Sequence, residues 1–146
     1  MGARLNKGYQ PLERTRPEGR RWELRMNEIR LHEGELNIME LLWSNKVLAA
    51  KDISKIIKEY IGWEKNTTYT VIKRLIEKGA VKREEPGFLC KALVSKRTVQ
   101  NTETKALLDK FFNGSLSNFF MEYLRNQKLS QGELLELERI ISEQKL

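Results

Sequence analysis

A mainly α-helical chain interrupted by one small β-hairpin is expected from three features of this sequence. Apolar residues recur at helical spacing through most of it. That spacing breaks between residues 80 and 94, around Pro86-Gly87. The helical stretch just before the break divides into two chemically distinct faces. With 146 residues, 40% hydrophobic and 32% charged, there is material for one domain and an appendage, and a large multidomain enzyme is excluded.

The elements follow in order. Leu36, Met39, Leu42 and Trp43 mark a first helix ending near Ser44 and Asn45. Ile53, Ile56, Ile57 and Tyr60 repeat at i, i+3, i+4 and i+7 and make a second, stopped at Gly62. Its N-cap position holds Ala49 instead of Ser or Thr, although Asp52 in the first turn suits the helix dipole. A third helix is expected from about Asn66 to Lys78, with Gly79 at the C-cap place where a left-handed backbone is easiest. Ala80 to Glu85 and Phe88 to Val94 are short β-permissive runs flanking Pro86-Gly87, a pair that suits the centre of a type II turn. From about Thr102 the helical spacing returns in three groups. These are Leu107, Leu108, Phe111 and Phe112; then Leu116, Phe119, Phe120, Tyr123 and Leu124; then Leu134, Leu137 and Ile141. Asn113-Gly114 separates the first two groups, and Ser130 with Glu133 forms a capping box at the start of the last.

Charge is unevenly distributed along the chain. Residues 1–25 hold seven bases against three acids, with two prolines, three glycines and no apolar period, and are expected to be a disordered basic leader. Met26 reads as an independent start, so the leader is expected to be an addition or a misplaced start. Beyond it, residues 26–45 carry one base against four acids, residues 46–97 thirteen against six, and residues 98–146 six against seven. The positive charge therefore sits in the middle third, where a polyanion would bind. The expected domains are 26–97 and 98–146, the second a three-helix dimerisation region.

The third helix carries the chemistry. On a helical wheel Thr68, Val71, Ile72, Leu75 and Ile76 share one face, while Asn66, Thr67, Tyr69, Thr70, Lys73 and Arg74 fill the other, with Glu77 the only acid among them. A merely solvated face usually mixes Glu with Lys. Amide, hydroxyl, aromatic and cationic groups on one face suit the edges of bases in a major groove. Helix, helix, polar basic helix and basic hairpin, in that order, point to a winged helix-turn-helix. Lys82 and Arg83, with Lys91, would lie on a wing against the adjacent backbone.

An enzyme finds little support. His32 is the only histidine and reads as a solvated side chain; the lone Cys90 reads as a small buried hydrophobe. There is no P-loop, dinucleotide fingerprint or metal-ligand spacing, so neither cofactor nor metal is expected. One cysteine and no spanning or secretory segment suggest a cytoplasmic protein without a membrane partner.

Several separated segments also resemble the BlaI/MecI penicillinase-repressor family. They are Glu35-Leu-Asn-Ile-Met39 running to Leu42-Trp43, Thr67 through Leu75 with Lys78-Gly79, Leu93-Val94-Ser95, and Phe112-Asn-Gly-Ser115, and the likeness extends from Met26 to the C-terminus. The resemblance implies a homodimeric transcriptional repressor on palindromic DNA operators of resistance genes, released when a sensor protease cuts the dimerisation region. It implies DNA contacts from the same Asn66, Thr67, Tyr69, Thr70, Lys73 and Arg74. Departures are visible. Phe88-Leu89-Cys90-Lys91-Ala92 stands where the family's wing has Tyr-x-Tyr-x-Pro, and Glu122-Tyr123 stands at the family's Asn-Phe cleavage bond. The cysteine cluster of copper-responsive relatives is absent.

For the C-terminal helices the simplest solution is burial against a second copy, because about 45 residues make a marginal core alone. Phe111, Phe112, Leu116, Phe119, Phe120, Tyr123, Leu134, Leu137 and Ile141 are the expected interface or core residues. A winged-helix adapter that binds protein would instead show weak, sequence-blind affinity for duplex. A membrane-surface protein would bind anionic vesicles even without its leader.

Overall fold

The computed structural model describes residues 28–144; the leader expected at residues 1–25 lies outside the described residues. The described residues divide into two units, the first ending at Thr104 and the second beginning at Lys105.

In the first unit, α1 (Glu33–Ser44) buries Glu35, Ile38, Met39 and Leu42. It starts where the Glu35 carboxylate accepts the His32 backbone N–H at 2.8 Å, satisfying one of the donors a helix leaves open at its N-terminus. A two-residue strand, β1 (Leu48–Ala49), leads into α2 (Ala50–Tyr60), whose N-cap Ala49 offers no side-chain bond. α3 (Lys65–Lys78) follows and ends at Gly79, whose φ of +84° is open to glycine at little cost. The Ala80 N–H then returns to the Leu75 carbonyl at 3.0 Å.

The hairpin strands are β2 (Val81–Glu84) and β3 (Leu89–Ala92), and β1 pairs on the far side of β3, giving the order β1-β3-β2, all antiparallel. This third strand was not expected from sequence; two residues carry no readable period. The reversal also differs from the expected two-residue type II turn. Glu85 to Phe88 form the connection, with a cis Glu85–Pro86 bond and left-handed backbone at both Gly87 (φ +98°) and Phe88 (φ +49°). A bulky residue at positive φ is costly. Contacts of the Phe88 ring, described below, offset it, as does the Phe88 N–H bond to Glu85 Oε1 at 3.2 Å.

α4 runs from Lys96 to Phe112, starting earlier than the expected Thr102. The Ser95 hydroxyl accepts the Thr98 N–H at 3.0 Å and so caps it. Only Val99 is buried along this helix, so its first turns show no apolar stripe. Ile38, Met39, Ile53, Ile57, Ile72, Leu75, Val81 and Cys90 form the centre of a core shared by α1, α2, α3 and the sheet.

In the second unit, α5 (Leu116–Arg125) and α6 (Gln131–Ser142) contain no buried residue. The Ser130–Glu133 capping box is present, with bonds of 3.1 Å in both directions. Phe119 collects Phe112, Phe120 and Tyr123 at ring-centroid distances of 5.3, 5.4 and 5.8 Å.

Candidate nucleic-acid interface

α3 is held in place by one buried face. Thr68, Val71, Ile72 and Leu75 point into the core, which fixes the rotation of the helix and forces the opposite face outward. Asn66, Thr67, Thr70, Lys73 and Arg74 are exposed on that face. Neither Lys73 nor Arg74 has a carboxylate at ion-pair distance among the described residues.

The buried face contains one defect. The Thr68 hydroxyl is fully buried and has no hydrogen-bond partner. Valine has nearly the same shape and the same β-branching, so Thr68→Val keeps the packing and removes the stranded group. It is expected to stabilise the protein by about 1 kcal/mol in chemical denaturation; a loss of stability would mean that the hydroxyl is satisfied.

Axial position is set by a second device. Glu35 on α1 is 1% exposed and receives Lys78 Nζ, from the last turn of α3, at 2.6 Å. Lys78 also donates to the Arg30 carbonyl at 2.9 Å. Burial pushes the Glu35 carboxyl up, but the bonds from Lys78 and the His32 N–H outweigh it and hold the group below its ordinary value. Just before α1, Arg30 makes two bonds of 3.0 and 3.1 Å to Glu103 on α4. That guanidinium, with the Leu31 N–H, holds the Glu103 carboxyl low against the upward push of burial. Sequence reasoning missed the Glu35–Lys78 pair, whose partners are 43 residues apart.

The wing joins the helix through rings. Tyr69, expected on the exposed face, is half-buried; Phe88 meets it edge-on, with centroids 5.7 Å apart and planes at 86°. Lys65 Nζ lies 5.6 Å from the Tyr69 ring centre, and the Arg83 guanidinium lies 3.6 Å over Phe88. Phe88 thus acts as a hydrophobic joint between hairpin and helix. Lys82 and Arg83 are exposed as expected, but each is ion-paired within the wing, Lys82 to Glu84 at 3.4 Å and Arg83 to Glu85. Neither Phe88 nor these acids had been singled out as site residues, though all lie beside the expected turn.

Cys90 is fully buried, and burial pushes its thiol up to about 11, against a smaller opposing pull from Arg83. It stays protonated at neutral pH and is a packing residue rather than a nucleophile. No helix of the described residues is long and apolar enough to cross a membrane.

Three helices, a three-stranded sheet whose hairpin forms a wing, and an outward polar cationic face on the third helix define a winged helix-turn-helix protein. A family model described as penicillinase repressor matches residues 31–143, and the chain belongs to that family. It is 26% identical over 117 residues to the penicillinase repressor of Bacillus licheniformis, covering 79% of this chain and 91% of the relative. It is likewise 26% identical over 110 residues to the methicillin resistance regulatory protein MecI of Staphylococcus aureus (strain N315), covering 74% and 89%. The solved solution structure of the DNA binding domain of the repressor BlaI aligns with a TM-score of 0.44 at 23% identity, over 47% of this chain and 85% of that one. Membership makes the chain a transcriptional repressor, a DNA-binding regulator rather than an enzyme.

Proposed function

We propose that the chain acts as a homodimer on a palindromic operator, each copy laying α3 in a major groove and its wing along the flanking backbone. The observation that carries this is the exposure of Asn66, Thr67, Thr70, Lys73 and Arg74 on one face of a helix whose other face is buried. Asn pairs bidentately with adenine, Thr methyls meet thymine methyls, and Lys or Arg takes guanine or phosphate. Tyr69 contributes at the edge of this surface, where its ring meets the wing.

Dimerisation is supported by the second unit. Phe111, Leu116, Tyr123, Leu134 and Ile141 are exposed, and Phe112, Phe119, Phe120 and Leu137 are half-buried. Leu107, Met121, Leu124, Leu135 and Ile140 extend the exposed apolar surface beyond the residues expected from sequence. That much apolar surface on a short helical unit is most simply covered by its own copy. A two-fold axis then places the two reading helices about 34 Å apart or at a multiple of that, matching half-sites on one face of the duplex. Control of antibiotic-resistance or cell-wall stress genes is the regulatory role proposed, supported by the names of the penicillinase and methicillin-resistance relatives.

Phosphate and base contacts separate in a binding assay. Lys73→Ala or Arg74→Ala, where the side chain holds phosphate, weakens all duplexes alike and lowers the salt slope by about 1. Asn66→Ala, Thr67→Ala or Thr70→Ala, where the group touches a base, costs about 1–3 kcal/mol of discrimination at one position. Wild-type affinity and discrimination in all five variants would remove α3 from the interface.

A further inference from the structure

We propose that Glu85 is a built-in competitor for the DNA backbone. Its carboxylate holds the Arg83 guanidinium in the free protein, a phosphate displaces it on binding, and Glu85 thereby sets how tightly the wing grips. This assignment rests on the reading of α3 and the hairpin as a DNA-binding surface.

The register of the hairpin places the two wing ion-pair systems on opposite faces. Arg83 is the cross-strand partner of Cys90, whose side chain points into the core, so Arg83 leaves β2 on the same face. There its guanidinium covers Phe88, and Phe88 touches Tyr69 of α3. Arg83 is therefore a single ring away from the reading helix, where the backbone beside an occupied groove would run. Lys82 and Lys91, directly opposite each other, project from the other face, and Glu84 lies 3.4 and 3.8 Å from their amines. Opposed like charges destabilise a hairpin, so Glu84 has a structural role in shielding them. Glu85 has no such duty towards a second cation.

Glu85 is exposed and accepts bonds from Arg83 and from the Phe88 N–H. The Arg83 bond first, and the Phe88 N–H second, hold its carboxyl below the ordinary value, so it is charged at neutral pH. An exposed pair of this kind is weak, and a phosphate that releases counterions from the duplex can replace the carboxylate. Stacking on Phe88 keeps the guanidinium in place during the exchange.

The test uses the full chain and a fluorescent random-sequence duplex, because backbone binding does not require the operator. Glu85→Gln is expected to bind about threefold to fivefold tighter than wild type. Its salt dependence should be steeper by up to about 0.9 in the log–log slope. In an Arg83→Ala background the same substitution should gain less than about twofold, since no cation remains to be released. Glu33→Gln, at an exposed position on α1 outside both the reading surface and the dimerisation helices, makes the same change of net charge and should leave affinity unaltered. An equal gain with and without Arg83, or an equal gain from Glu33→Gln, would overturn the proposal in favour of general charge. No gain from Glu85→Gln, with wild type still binding duplex, would overturn it outright and leave the DNA-binding reading intact. A wild-type chain with no affinity for any duplex would remove that reading and this assignment together.

Discussion

Lys78→Met is expected to destabilise the first unit by about 3 kcal/mol or more, the largest stability loss from any single charged residue in it. The reason is asymmetry of burial. Lys78 is 27% exposed at its side chain and, without Glu35, can turn its amine towards water; Glu35 is 1% exposed and has no such escape. Removing the lysine therefore strands a buried carboxylate, one of whose oxygens, Oε2, already lacks a partner. Glu35→Gln should cost less, because a neutral amide replaces the charge. Removing both, in Glu35→Gln with Lys78→Met, should recover much of the loss, since replacing a buried pair is often close to neutral. Urea denaturation of the four proteins forms the cycle, and additive losses would show that the pair is uncoupled.

The same pair gives a pH dependence whose sign is fixed. Lys78 and His32 hold the folded Glu35 below its unfolded value despite burial, so the folded state binds fewer protons. The resulting stability is complete above the unfolded carboxyl's value and is lost as pH falls through the lower folded one. Glu103, held low by Arg30, contributes to the same acid limb. Glu35→Gln should flatten that limb without abolishing it.

The second large effect concerns assembly. Leu134→Lys with Ile141→Lys is expected to leave each copy folded, convert the proposed dimer to monomers, and lower affinity for a palindromic duplex by about 10²–10⁴-fold, the factor lost when two linked sites bind separately. Both residues lie on α6, seven apart and so close to one face, and are 44% and 66% exposed in the single chain. Lysines there disturb little within one copy but cannot be buried against a second. Sedimentation equilibrium reads the mass and a half-site duplex reads the intact reading head. A variant that stays dimeric, or a wild type already monomeric at the same concentration, would contradict the proposed assembly.

The parts of this fold legible in sequence are those where a period meets a boundary signal. Val71, Ile72 and Leu75 repeat at helical spacing up to Gly79, and this locates both faces of α3 without knowledge of any contact. Ser130 and Glu133 announce α6 by local hydrogen bonding alone. What escaped depends on distant partners. β1 is a strand only because Leu48 and Ala49 find Cys90 and Leu89. The early start of α4 is hidden because polar residues fill its first turns and Val99 alone is buried. Arg83 and Glu85 are visible in sequence as neighbours; which face they occupy follows only from pairing of Arg83 with Cys90. Tyr69 falls on the polar side of a wheel, yet the left-handed turn at Phe88 brings a ring to meet it.

Selection of duplexes from a random pool by the full chain, repeated with Asn66→Ala and Thr70→Ala, tests most directly whether the open face of α3 reads bases. The expected result is an inverted repeat for the wild type, with preference relaxed at particular symmetric positions in each variant and unchanged elsewhere. Recovery of no common sequence, or of the same sequence at undiminished stringency by both variants, would contradict it.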